Sequence, residues 1–310
     1  MNHTNPENCD PNLPAIQFII FNFLQGLSGF FSIFGNAIVL FSITRTKSLQ
    51  TVSNFYIASL AVADLLVGLL MNPIYIGLTL LRAWPDSNTP LYKLENFFWI
   101  QTLVATTFSL VAVSIDRYLA ITSVFRYHFI MTKQKTKCII ILLWTASFSL
   151  ALPTLLVSSS EEASVLWVTC QVFTMVIPLI IIVFCYYHIF KAARIQIKHI
   201  ASTIRTQQNV EAIKNRKAAT TMAIVIGVFV MMYFPNFVFS WVEFATKGHC
   251  KKMLIYRDWL WAILLAFGNS ACNPWIYALR MNDFKIAFRR ILWSRHNNFV
   301  LPCSDSNVSR

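Results

Sequence analysis

The chain has 310 residues, of which 56% are hydrophobic, 15% aromatic and only 13% charged, with a net charge of +13. An ordinary soluble domain carries about 25% charged residues, and a single soluble core cannot absorb so much apolar surface with so few charges to cover it. A disordered chain, a nucleic-acid-binding domain and a disulfide-stapled miniprotein are excluded, and a polytopic membrane protein is indicated.

Seven apolar stretches follow one another along the chain, at 16–43, 54–80, 94–118, 138–157, 168–190, 218–242 and 259–279. Each matches the ~20 residues a helix needs to cross the hydrocarbon of a bilayer. Five of the seven contain no Asp, Glu, Lys or Arg. No basic region precedes the first stretch and no cleavage-like end follows it, so no signal peptide is expected. Residues 191–217 are amphipathic and basic, and predict helical extensions of spans 5 and 6. Residues 282–293 alternate Phe284, Ile286, Phe288, Ile291 and Leu292 with Lys285, Arg289 and Arg290. That pattern predicts a helix lying on a membrane face. No internal repeat is visible. The expected organisation is an all-α seven-helix transmembrane bundle over 16–279, an outer N-terminus over 1–15, and a surface helix and tail over 280–310.

Charge placement orients the bundle. Twenty of the 26 Lys and Arg residues follow spans 1, 3, 5 and 7 or end span 3. Only Arg82, Lys93, Lys247, Lys251, Lys252 and Arg257 fall on the other side. Short Lys/Arg-rich loops stay in the cytoplasm, so the N-terminus is expected outside and the C-terminus inside. Asn2, in Asn2-His3-Thr4, then becomes a glycosylation acceptor, whereas Asn307 faces the cytosol.

A set of marks now appears, roughly one per helix. Gly35-Asn36 lies in span 1, Ser59-Leu60-Ala61-Val62-Ala63-Asp64 in span 2, Asp116-Arg117-Tyr118 at the end of span 3 and Trp144 in span 4. Pro178 and Tyr186 lie in span 5, and Phe229 and Pro235 in span 6. Asn273-Pro274-Trp275-Ile276-Tyr277 ends span 7, followed by Asp283-Phe284. The set resembles the rhodopsin-like (class A) G-protein-coupled receptors and covers nearly the whole chain. The resemblance implies a plasma-membrane receptor that passes an extracellular or lipidic signal to a heterotrimeric G protein, with arrestin as a further partner and no enzymatic activity.

The resemblance assigns roles residue by residue. Arg117, beside Asp116 and Tyr118, is released on activation so that a G-protein tail enters, while Tyr186 and Tyr277, with Asn273 and Pro274, rearrange. Many relatives restrain this arginine with an acid at the base of span 6; here Lys214, Asn215, Arg216 and Lys217 stand there. Asp64 is a carboxylate near mid-bilayer, where a charge costs at least ~2.5–3.5 kcal/mol. With Asn36, Thr106, Asn269, Ser270 and Asn273 it resembles the family's sodium pocket; a plain interhelical hydrogen-bond network is the other reading. No other cofactor or metal is expected. Thr107, Pro178 and Phe229 resemble the connector between pocket and cytoplasmic end. Prolines 73, 153, 178, 235 and 274 each remove a backbone donor and favour kinks.

Departures from the family narrow the ligand. The common cysteine near the outer end of span 3 is replaced by Tyr92, and the outer loop expected around 158–167 contains no cysteine. Cys9 and Cys250 are the remaining outer cysteines, either paired or left as two thiols; Cys138, Cys170, Cys185, Cys272 and Cys303 are expected reduced, with Cys303 a candidate for palmitoylation. The position of the aspartate of amine receptors holds Trp99, which disfavours a monoamine, and the position of the retinal-binding lysine holds Phe267. Residues 126–132 resemble melanocortin receptors, but their calcium positions hold Ile74, Tyr92 and Asn96. Span 2 and residues 116–121 resemble adenosine receptors. The pocket implied by the family alignment is aromatic: Trp99, Ile100, Leu103, Thr174, Tyr233, Asn236, Phe237, Trp259, Ile263 and Phe267. Such walls suit a lipid or small apolar ligand, or else the rings fill the space themselves. Two rival classes fare worse. A transporter or channel should show repeated halves or several intramembrane charges, and a metalloenzyme clustered His, Cys or Glu; a constitutively active or non-signalling protein of the same fold stays open.

Overall fold

The computed structural model describes residues 12–82, 90–156, 160–200 and 207–293. Among them every regular element is helical. Span 1 is Ala15–Arg45, span 2 Val52–Leu80, span 3 Pro90–Thr122 and span 4 Lys133–Leu155. The fifth runs through Ser160–Gln171 and Ile177–Ile200, the sixth is Gln207–Ala245 and the seventh His249–Arg280. Helix Val124–Ile130 lies between spans 3 and 4, and surface helix Asn282–Trp293 follows span 7.

Among the described residues, six helices are long and apolar enough to cross a membrane. The seventh is as long, at 32 residues, but Asn269, Ser270 and Asn273 make its middle polar, and all three are buried inside the bundle. Phe23, Phe30, Ile180, Val183, Met231 and Phe234 are instead exposed. Apolar side chains outside and polar ones inside is the arrangement hydrocarbon selects, because lipid tails solvate aliphatic groups and not amides.

The expected outer loop at 158–167 is a correction: from Ser160 onward it is helix, continuous with span 5. Two wide π turns were also not foreseen, at Val67–Met71 and Val172–Val176. Each explains how a proline is accommodated. A proline ring collides with the carbonyl four residues earlier; for Pro73 and Pro178 those residues are Leu69 and Thr174, both inside the wide turns. Pro235 and Pro274 lie within helices that continue through them. The expected extensions of spans 5 and 6 are present as far as Ile200 and from Gln207.

Small residues let helices approach. A Cβ added to Gly35 would stand 2.7 Å from Cγ of Pro274, and one added to Gly68 would stand 2.8 Å from Cγ1 of Ile33. Spans 1 and 7, and spans 1 and 2, therefore meet through backbone. Between spans 2, 3 and 4, Trp144 donates from Nε1 to Ser59 Oγ at 3.0 Å, and Ser59 pairs with Ser109 at 3.1 Å. The main core gathers Tyr56, Leu60, Leu110, Val113, Met222, Phe229 and Tyr277; a second, outer cluster gathers Phe21, Met71, Tyr75, Trp99, Trp259 and Phe267.

Candidate functional site

At the inner end of span 3, Asp116 is fully buried. Its Oδ2 accepts from Arg117 Nη2 at 2.6 Å, Arg117 Nε at 3.0 Å and Ser53 Oγ at 2.6 Å. Its Oδ1 accepts from the Tyr127 hydroxyl at 2.7 Å. A buried ion pair persists only where its remaining lone pairs are satisfied, and Ser53 and Tyr127 do that here. Burial first, and then the Asp116 charge, push the Tyr127 phenol up to about 12, so it stays a donor. Tyr118 packs its ring at 6.1 Å from Phe184 and 5.9 Å from His188. Tyr186 donates to the Ala219 carbonyl at 3.3 Å, bridging spans 5 and 6. The Tyr277 hydroxyl is buried without a partner, its ring 5.7 Å from Phe284 of the surface helix. At the base of span 6, Lys214 reaches Asp283 at 3.3 Å, with both side chains largely exposed.

Asp64 lies in the first helical stretch of span 2 and is fully buried. Asn273 donates from Nδ2 to Asp64 Oδ2 at 2.8 Å. Ser32 donates to the Asp64 carbonyl at 2.7 Å, and Asn36 donates to the carbonyls of Ser32 at 2.9 Å and Ser270 at 3.0 Å. Thr106 and Asn269 are buried, but neither bonds to the carboxylate. Asn36 Oδ1, Asp64 Oδ1, Asn269 Oδ1 and Asn273 Oδ1 are buried oxygens without a hydrogen-bond partner. Buried carboxylate and amide oxygens without partners are the ligand type a hard cation takes, so these residues fit sodium.

The residues of the expected ligand pocket separate into groups. Trp99, Trp259, Ile263 and Phe267 share the outer cluster. Trp99 lies 4.9 Å from Phe267, and both rings touch Tyr75, at 5.9 and 5.3 Å. Trp259 donates from Nε1 to Asn236 Oδ1 at 2.7 Å. Leu103 and Tyr233 belong to the main core, where the Tyr233 ring lies 4.5 Å from that of Phe229, tilted by 32°. Two further residues of the set pack elsewhere. Ile100 packs with Val104 and Ala151 towards span 4. Phe237 lines a lateral cavity of about 190 Å³ between spans 3, 5 and 6, with Thr107, Pro178 and Phe229 of the connector in the same wall. Thr107 turns its hydroxyl onto the Leu103 and Val104 carbonyls, at 2.9 and 3.2 Å. Three polar atoms of the pocket set are buried and unpaired: Trp99 Nε1, Thr174 Oγ1 and Asn236 Nδ2.

Several contributors were missed in the sequence. Ser53 and Tyr127 stand remote from Asp116 in sequence. Glu95 is buried in span 3, where its carboxylate accepts from the Tyr75 hydroxyl. Its signal was present, since a glutamate one turn outside Trp99 in an apolar run is costly. Glu243, also buried, pairs with Lys252 at 2.6 Å. Gln171 and Ser240 bond reciprocally at 2.6 and 2.8 Å and join spans 5 and 6. Cys250 is disulfide-bonded, and Cys138, Cys170, Cys185 and Cys272 are free. Cys9, Cys303 and Asn2 lie outside the described residues.

Seven helices around a buried Asp-Arg pair define a membrane receptor fold, and comparison agrees. The family profile described as "7 transmembrane receptor (rhodopsin family)" matches residues 35–172 and 158–277. The chain belongs to this family of signalling receptors. It is 29% identical over 293 residues to the adenosine receptor A2a of Homo sapiens, covering 85% of this chain and 69% of that protein. The histamine H2 receptor of Cavia porcellus is 28% identical over 302 residues, covering 89% and 81%. Melanocortin receptor 5 of Mus musculus is 28% identical over 282 residues, covering 89% and 84%.

Proposed function

We propose that this receptor catalyses nucleotide exchange on a heterotrimeric G protein through the Arg117 end of the bundle, from the plasma membrane, with its N-terminus outside. The observation that carries this is the Asp116 carboxylate, which holds Arg117 by two contacts while Ser53 and Tyr127 fill its remaining acceptor sites. A guanidinium held in this way is stored at the cytoplasmic mouth, and an inserting peptide that accepts from it gains a charge-assisted bond. Tyr186 and Tyr277 line the path of that rearrangement, and Tyr277 has a hydroxyl free to take a partner. Arrestin would dock on the same open face. Asp64, with Asn36, Asn269 and Asn273, would hold a sodium ion, which would supply positive charge to their unpaired oxygens.

The test is nucleotide exchange in reconstituted receptor. Arg117→Ala is expected to abolish exchange while the protein still folds and reaches the surface; undiminished exchange would exclude this mechanism. A second feature favours appreciable basal activity: the base of span 6 presents Lys214 where an acid could restrain Arg117, and Lys214 pairs with exposed Asp283 instead.

The ligand binds among the outer aromatic rings. Their apolar surface suits a small molecule, and the unpaired Trp99, Thr174 and Asn236 atoms add a need for polar groups on it.

A further inference from the structure

Glu95 is 5% exposed, and its carboxylate has one hydrogen-bond donor, the Tyr75 hydroxyl. Among the described residues no lysine, arginine or histidine pairs with it. Of the cations at the outer end of span 7, Lys252 is engaged by Glu243 at 2.6 Å and Arg257 by Asp258 at 3.1 Å. A carboxylate removed from water without a counter-charge is costly, and structures retain one where a cation arrives to meet it.

The surroundings say what kind of cation. Tyr75 carries the hydrogen bond, and its ring lies against Trp99 and Phe267; Trp99 in turn touches Trp167 at 5.7 Å. Oxygen ligands are too few here for calcium or magnesium, which take six or more. Aromatic faces favour a diffuse organic cation. Trp99 adds an independent demand: it is 3% exposed, and its Nε1–H has no acceptor. A ligand that satisfies both groups carries a positive nitrogen and an oxygen acceptor.

We infer that the outer pocket binds a small protonated amine bearing an oxygen acceptor, with Glu95 as its counter-ion and Trp99 as the donor to its oxygen. This rests on the receptor reading above and names the ligand class of that pocket. The aspartate position of amine receptors holds Trp99 here, and the acid stands four residues earlier, one helical turn or about 6 Å further out. The ligand accordingly seats nearer the outer surface, and the Tyr75, Trp99 and Phe267 rings part to admit it.

Tyramine is the probe, and 4-ethylphenol, which lacks the amine, its uncharged counterpart. Both are titrated into purified receptor in nanodiscs, read by tryptophan fluorescence and by Tm. Tyramine is expected to quench fluorescence and raise Tm, and 4-ethylphenol to do neither. Glu95→Gln is expected to weaken tyramine at least tenfold, with Glu95→Asp retaining part of the response. In the ligand-free receptor Glu95→Gln should raise Tm, because the uncompensated charge is gone; a glutamate with a purely structural role would give a lower Tm instead. The inference is overturned by equal responses to the two probes, by no response to tyramine up to millimolar concentration, by a Glu95→Gln variant that binds as wild type, or by a response to pH alone that Glu95→Gln removes. These readouts need no G protein. Their failure leaves the receptor reading standing, whereas Arg117→Ala that binds tyramine but no longer exchanges nucleotide separates the two.

Discussion

Tyr127, in the short helix after span 3, places its hydroxyl 2.7 Å from Oδ1 of Asp116, on the side of the carboxylate opposite Arg117. The stretch around it resembles melanocortin receptors in sequence, but its contribution is local: it completes the hydrogen bonding of an aspartate with no solvent exposure. Ser53 does the same from span 2. The loop helix and span 2 thus both fix the conformation of the residue that holds Arg117.

Removing that donor should loosen Arg117. Tyr127→Phe leaves Oδ1 without a partner in a buried place, a loss of about 1–3 kcal/mol. Raised basal nucleotide exchange is expected, with a lower Tm. The titration has a clear sign. The phenol sits at about 12 in the folded protein, above its ordinary value of 10.0. Its stabilising contribution is therefore complete below pH 10 and fades as pH rises through 12. Ultraviolet titration of phenolate in wild type, compared with Tyr127→Phe, checks this; a Tyr127 step at or below pH 10 would contradict it.

Asp64 gives the second prediction. Sodium should suppress basal exchange and raise Tm in wild type, since it neutralises a carboxylate in hydrocarbon and satisfies the Asn36, Asn269 and Asn273 oxygens. Asp64→Asn should remove both effects. A sodium response that survives in Asp64→Asn would place the ion elsewhere.

Much of this was legible in the sequence, for a physical reason. Membrane spans obey a one-dimensional length rule, and Asp64, Asp116, Arg117 and Asn273 stand out in apolar runs because charge and amide are costly there. What was not legible depends on approach across helices. Nothing local in Tyr127 or Ser53 announces Asp116. The π turns at Val67–Met71 and Val172–Val176 arise from the collision of a proline ring with a carbonyl, and proline alone predicts a kink of unspecified form. Which neighbours Ile100 and Phe237 meet depends on helix rotation, which decides the face a residue shows. Glu95 was overlooked because an acid near a span's end reads as interfacial, whereas its one-sided burial is set by Tyr75 on the neighbouring helix.

Gly35 supplies a third prediction, about stability. Its missing Cβ is where the Pro274 ring lies, at 2.7 Å, and a proline ring fused to the backbone cannot rotate away. Gly35→Val should separate spans 1 and 7, disturb the Asn36 to Ser270 bond and cost about 1–3 kcal/mol, the usual range for overpacking. Gly26, with open space around it, is the control: Gly26→Ala should be near neutral. Surface expression and Tm of the two variants provide the comparison, and equal values would mean that the contact carries no constraint.

The final prediction concerns the outer face. Cys250 is disulfide-bonded, and Cys170, the cysteine nearest the second outer loop, is free. Tyr92 stands where relatives place the span 3 cysteine, so the usual tether to that loop has no anchor. The remaining outer cysteine is Cys9, and we expect it to be the partner. The bridge would link the N-terminal segment to the start of span 7, beside Lys252 and its Glu243 partner, leaving the mouth above span 3 untethered. Closing a loop that long stabilises by about 5 kcal/mol in a chain-entropy treatment, an upper figure for a chain already confined by the membrane. Cys250→Ser should therefore lower surface stability and weaken the ligand response, while Cys170→Ser should change neither. Mass spectrometry of non-reduced peptides decides the pairing: a peptide joining Cys9 to Cys250 is expected, and alkylatable Cys9 in freshly isolated receptor would refute it.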